Sequence, residues 1–162
     1  MRLAIAFVSI AIAVSAVSQA APRCAVTEAP RNVFVPPPPY EASPPQGTFY
    51  FGSDALWLFL PNDGVWETLR DGANYERRKI AWFSSGYFWL SQSQKDLRVE
   101  AKRLDGAETV HGEPATNGFL QETQESFMLN GIAFPATGCW EVSAKYHGNE
   151  LKFIVWVTPP SN

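Results

Sequence analysis

Between residues 97 and 102 apolar and charged positions alternate strictly, Leu97, Val99 and Ala101 against Arg98, Glu100 and Lys102. Side chains along a strand point to opposite faces in turn, so this pattern predicts a strand with one dry and one wet face. Trp140, Val142, Ala144 and Tyr146 alternate in the same way with Glu141, Ser143 and Lys145. His147-Gly148-Asn149 then turns the chain into Leu151–Val157, a run apolar on both faces. Such a strand is expected to be covered on both. One cover is a core beneath Leu151, Phe153, Val155 and Val157; the other, over Ile154 and Trp156, is assigned to the N-terminal arm.

Earlier in the chain, residues 48–52 and 56–60 read as a hairpin, and Pro61-Asn62-Asp63-Gly64 as a tight turn back into Val65–Thr68. Lys79–Phe83 reads as the next strand, and Tyr87–Leu90 as its resumption after Ser84-Ser85-Gly86. The polar stretch after Asp105-Gly106, as far as Glu125, shows no clear element. Phe127–Leu129 and Ile132–Phe134 flank Asn130-Gly131, which predicts a kinked strand or a tight hairpin. No long segment sustains a 3.6-residue apolar period. About seven to nine short strands in roughly 115 residues predict an all-β fold, an immunoglobulin-like antiparallel two-sheet sandwich.

The N-terminus divides differently. From Leu3 to Val17 every residue is apolar or serine after a single arginine, and Ser18-Gln19-Ala20 offers small residues for cleavage. Residues 1–20 therefore read as a secretory signal peptide, too short an apolar run for a membrane span, and the protein is expected to be secreted or periplasmic. Arg23 before Cys24 disfavours a lipid anchor. Residues 21–46 form a Pro-rich arm or linker, since seven of the thirteen prolines fall between Pro30 and Pro45 and forbid helix in favour of an extended path. Residues 47–159 form the sandwich.

Removing the leader takes one arginine from thirteen basic residues, leaving twelve against sixteen acidic ones. A mildly acidic chain without a basic run argues against nucleic acid as a partner. Cys24 and Cys139, the only cysteines, are expected to pair in an oxidising compartment and so pin the arm beside the strand that carries Trp140.

Candidate chemistry is sparse. His111 and His147 lack metal-ligand spacing, and no cofactor is implied. Cys139 and His147 are eight residues apart along one strand, about 26 Å, too far to act as nucleophile and base. Paired carboxylates, Glu122 with Glu125 or Asp63 with Glu67, read as solvated residues, and no catalytic residue is assigned. The informative residues are aromatic. Tyr87, Phe88 and Trp89 are consecutive, so an extended path turns at least one outward, and Trp57 between Leu56 and Leu58 poses the same problem. These four are the candidate ligand-binding residues, since exposed aromatics stack on sugar rings or anchor proteins. A noncatalytic binding module for a glycan or an envelope protein is expected, with a small hydrolase acting on cell-wall polysaccharide, or a purely structural envelope domain, as the alternatives.

Three elements, Arg-Leu-Asp-Gly at 103–106, Phe-Pro-x-x-Gly-Cys-Trp-Glu-Val at 134–142 and Leu-x-Phe-x-Val-x-Val at 151–157, resemble in order those of a recurring group of exported bacterial β-sandwich proteins. The resemblance covers most of the chain after Lys79. It implies an exported sandwich and no assigned activity. Many members of the group look lipid-anchored, a feature this chain's Arg23 departs from.

The intact mass of the mature protein checks the N-terminal reading: cleavage after Ala20 is expected, and both thiols should resist alkylation until a reductant is added.

Overall fold

The computed structural model describes residues 24–71, 75–91 and 96–159, with the backbone alone for 69–71 and 75–76. The signal peptide expected over residues 1–20 lies outside these residues. Eleven strands and no helix occur among them: β1 (Thr48–Ser53), β2 (Leu56–Pro61), β3 (Val65–Glu67), β4 (Leu69–Asp71), β5 (Tyr75–Trp82), β6 (Arg98–Arg103), β7 (Thr109–His111), β8 (Thr116–Leu120), β9 (Glu125–Phe134), β10 (Gly138–Tyr146) and β11 (Asn149–Thr158). No helix of the described residues is long and apolar enough to cross a membrane.

The strands form a hairpin, β1-β2, a five-stranded sheet ordered β3-β11-β10-β6-β7, and a four-stranded sheet ordered β4-β5-β9-β8. The alternation in β6 and β10 lands as expected, with Val99, Ala101, Trp140, Val142 and Ala144 buried. They meet Ile80, Trp82, Met128, Ile132 and Phe134 of the other sheet in one core. The sheets touch through rings: Phe134 meets Trp140 edge-on at 5.1 Å, and Trp82 approaches Phe153 at 6.1 Å. Burying side chains of this size contributes roughly 1.5–3 kcal/mol each. The arrangement is consistent with a β-sandwich.

Several segments fold differently from their local pattern. Val65–Thr68 does not return along β2; β3 instead runs parallel to β11, with Trp156 opposite Val65, and the five-stranded sheet is therefore mixed. Asn130-Gly131 neither kinks nor turns, because β9 is one strand that pairs with β5 from Met128 to Phe134. Asn130 donates its side-chain amide to the Glu113 carbonyl, which ties β9 to the passing chain. The polar stretch after Gly106 contains β7 and β8, edge strands too short and too polar to show alternation. Tyr87–Ser91 is no strand but two successive turns, Tyr87 N–H donating to Ser84 O at 3.0 Å and Ser91 N–H to Phe88 O at 3.2 Å.

Cys24 and Cys139 sit at disulfide distance, with Cα atoms 5.4 Å apart. The segment after Cys24 runs from its bond to Cys139 on β10 to the far edge of β11. It meets that strand along its edge, where Thr27 N–H donates to Ile154 O and Ile154 N–H donates to Thr27 Oγ1, both at 2.8 Å. Trp156 is 38% exposed.

Two of the sequence elements meet in space beside Cys139. Arg103 donates through Nε to Asp105 at 2.8 Å and pairs through Nη1 with Glu108 at 3.0 Å, across the turn between β6 and β7. Leu104 N–H donates to Cys139 O at 2.7 Å. Gly138 has φ +142°, and a Cβ there would fall 2.7 Å from Asp105 Oδ1. Only glycine allows this approach. Partial desolvation pushes the Asp105 carboxyl up, but hydrogen bonds from Arg103 and the Cys139 N–H outweigh it and hold the group below its usual range. A carboxylate so depressed adds stability that is present above its unfolded value, about pH 4, and is lost as pH falls through the folded one. Asp105→Asn is therefore expected to lose less stability than the parent protein on going below about pH 4, read as the melting midpoint across an acid series.

Candidate functional site

Residues 34–41 lie against the outer side of β5 and β9, over a second aromatic cluster separate from the main core. Tyr50, Trp57 and Phe83 are buried there, with Phe34, Tyr40, Phe59 and Phe127 packed around them. Alternation along β2 explains the division, since Leu56, Leu58 and Leu60 face the main core while Trp57 faces the second cluster. Tyr40 is the arm's principal contact. Its ring stands edge-on to Trp57 at 4.9 Å and to Phe83 at 5.8 Å. Its hydroxyl lies where β5 and β9 part after the Trp82–Met128 pair, 3.1 Å from Ser126 O and 3.4 Å from Ser84 O. Desolvation, followed by the charge of Glu125, pushes the Tyr40 hydroxyl up to about 12, so it stays a donor. The arm is fixed further by Glu41 N–H donating to Glu125 Oε1 at 3.1 Å and Tyr50 Oη donating to Glu41 O at 2.5 Å.

Beside Tyr40 the arm and the turns that follow β5 enclose a pocket of about 330 Å³, walled by Pro38, Pro39, Tyr40, Tyr87 and Phe88, with Ser126 and Gln124 on its polar side. Ser126 is 3% exposed, and its Oγ has no hydrogen-bond partner. A buried hydroxyl left so is costly by about 1–3 kcal/mol. Phe88 is 47% exposed. Tyr87 is buried, its hydroxyl donating to Asn117 Oδ1 at 2.5 Å, and desolvation raises it to about 12. Asn117 Nδ2 in turn donates to Trp89 O at 3.3 Å, and Trp89 stacks on Phe119 with centroids 5.2 Å apart. The turns that display Phe88 are thereby locked to β8.

The four aromatic candidates thus have different fates. Trp57 is fully buried and presents no face to a ligand; Tyr87 is buried with its ring reaching the pocket wall; Trp89 is half-buried; Phe88 alone is broadly exposed. Pro38, Pro39, Tyr40 and Ser126 were missed, because nothing local shows that a proline run folds back onto strands some forty to ninety residues later. The tyrosine that follows the tetraproline was the available signal.

Two other cavities are built from other materials. A groove of about 700 Å³ beside β6 is lined by Arg98, Glu100, His111, Glu113 and Lys145. Several of its charges are engaged, His111 with Glu100 at 3.4 Å, Glu113 with Arg77 at 2.9 Å and Lys145 with Glu150 at 3.7 Å. Exposed pairs of this kind are screened and weak. A third cavity, about 320 Å³, lies between Asn32 and Phe34 of the arm, Phe51 of β1 and Asn149 at the start of β11. His147 is near Asp96 at 3.4 Å and stacks on Tyr146. Of the paired carboxylates, Glu122 is exposed, Glu125 is bound to the arm, and Asp63 accepts from Val65 N–H at 3.0 Å. Among the described residues no three histidine, cysteine or carboxylate side chains gather to hold a metal ion.

No known protein family, curated protein or solved structure matches this chain.

Tyr40→Phe removes the hydroxyl between the Ser84 and Ser126 carbonyls and is expected to cost about 1–3 kcal/mol. Chemical denaturation checks this, with Tyr50→Phe, which removes the contacts to Glu41 O and Ser43 O, as the comparison.

Proposed function

We propose that this protein is an exported, noncatalytic binding module that takes a sugar ring of an envelope or extracellular glycan in the pocket between its N-terminal arm and the Tyr87–Ser91 turns. The observation that carries the reading is the pairing of a half-exposed aromatic face, Phe88, with the polar wall formed by Gln124 and Ser126 in one cavity. Sugar rings present apolar C–H faces and hydroxyl edges, and a site for them combines a stacking ring with a few convergent polar groups. The volume of about 330 Å³ is at the small end of ligand pockets, a size suited to one or two rings.

The sandwich belongs, on this proposal, to the immunoglobulin-like class. The order β4-β5-β9-β8 corresponds to that of the A-B-E-D sheet, and β11-β10-β6-β7 to G-F-C-C′. The hairpin β1-β2 and the arm are additions ahead of this core. Export is supported by the leader pattern of residues 1–20 and by a cysteine pair at disulfide distance. The Arg-Leu-Asp-Gly and Phe-Pro-x-x-Gly-Cys-Trp-Glu-Val elements support a place among the exported bacterial sandwich proteins that share them.

The test is a panel of envelope and extracellular polysaccharides, with binding measured by calorimetry. A bound glycan should lose about two- to tenfold in affinity with Phe88→Ala. Gln124→Met should weaken it about fivefold, since Gln124 is the exposed polar side chain on the cavity wall. The reading is abandoned if the parent protein binds no member of the panel, or if neither substitution changes the affinity.

A further inference from the structure

The four-stranded sheet ends in β8, whose alternate residues turn backbone N–H and C=O groups away from β9. Among the described residues no backbone group outside β9 pairs with them. Natural edges of this kind are blunted by lysine, proline or a bulge. The β8 segment Thr116-Asn117-Gly118-Phe119-Leu120 has no lysine or proline and pairs with β9 without interruption. Of the outermost strands of the two larger sheets, the other three each carry an ionisable residue, Glu67 in β3, Arg70 and Asp71 in β4, and His111 in β7. Thr116, Asn117 and Leu120 are exposed, Leu120 at 44%. The neighbouring turns add Leu90 at 67% exposure, next to the Trp89 that stacks on Phe119.

We propose that β8 is a self-association edge, and that a second copy of this chain pairs with it antiparallel about Gly118, so that two four-stranded sheets become one of eight strands. The occupant follows from charge and register. A two-fold axis at Gly118 sets Thr116 against Leu120 and Asn117 against Phe119, every pair uncharged. Carried outward, the same register sets Pro114 against Glu122 and Glu113 against Thr123, so no two acidic residues oppose each other. A mirror pairing of β4 or β7 would carry ionisable residues into the new ladder. At the centre the edge is slim. A Cβ on Gly118 would come within 2.1 Å of the Phe127 ring, so that ring already covers the glycine and no side chain stands in the partner's path. The pairing uses a different part of the molecule from the glycan pocket and does not depend on it.

The register makes the proposal testable by charge exchange at Thr116 and Leu120, which face each other across the axis. Sedimentation of the mature protein over a range of concentrations should show a monomer–dimer equilibrium. In the T116K/L120K variant lysine faces lysine twice, and dimerisation should weaken about tenfold or more. In T116E/L120K each lysine faces a glutamate, and the dimer should persist and become sensitive to salt. T116E/L120E serves as a second like-charge variant should the first not fold, with near-ultraviolet circular dichroism as the check on each. A parent protein that stays monomeric at every concentration overturns the proposal, as does equal dimerisation of the like-charge and opposite-charge variants.

Discussion

The last strand has two edges, and the peptide groups along the outer one need partners from somewhere. β10 pairs with the inner edge of β11 from Asn149 to Val157. The outer edge is closed piecewise by the first part of the chain: Thr27 bonds at Ile154, Gly64 O accepts from Trp156 N–H at 2.9 Å, β3 runs alongside Trp156–Thr158, and Thr68 bonds at Thr158. A buried peptide group without a partner costs about as much as a lost hydrogen bond, so these segments cannot be moved independently. The chain at Thr27 and from Gly64 to Thr68 takes its position from this requirement. Because the partners lie some ninety to one hundred and thirty residues apart, the closure is a long-range contact with a high cost in loop entropy.

Once the chain start is held at β11, the arm has little choice of route. Its path leads from Thr27 across the β1-β2 hairpin to β5 and β9, and the aromatic cluster of Trp57, Phe83 and Tyr50 gives it an apolar surface to cross. Proline is suited to that role, because its fixed φ lowers the entropy lost when the segment is ordered. Tyr40 then inserts its hydroxyl where two strands separate. The pocket beside it exists only because the arm forms one wall and the turns after β5 form the other. The cysteine pair, the edge contacts and the glycan reading are thus linked through one segment.

Next to Cys139 the chain is fixed by a second device. The turn after β6 folds back onto the start of β10, where Arg103, Asp105 and Glu108 form a charge cluster over Gly138. The close approach needs a glycine at 138 and a carboxylate at 105, so the two sequence elements that carry these residues form one structural unit. Its effect is to hold the strand that bears Cys139, and with it the anchorage of the arm.

Local pattern determined much of this protein. The alternation at 97–102 and 140–146, the returning strand at 151–157 and the early hairpin are each set by side-chain period and turn chemistry within a few residues, and each lies where those forces put it. An outward-facing aromatic among Tyr87, Phe88 and Trp89 was expected from an extended path; Phe88 is the exposed one, but in a turn and not on a strand. Tertiary structure alone decided the rest. Short polar edge strands such as β7 and β8 have no period of their own and exist because β6 and β9 offer them a ladder. β3 pairs in parallel with β11, and not with β2, because an unpaired strand edge far along the chain needs hydrogen bonds. Trp57 is buried because an arm with no core of its own was folded over it. Residue spacing records which faces are apolar; it does not record which distant segment will cover them.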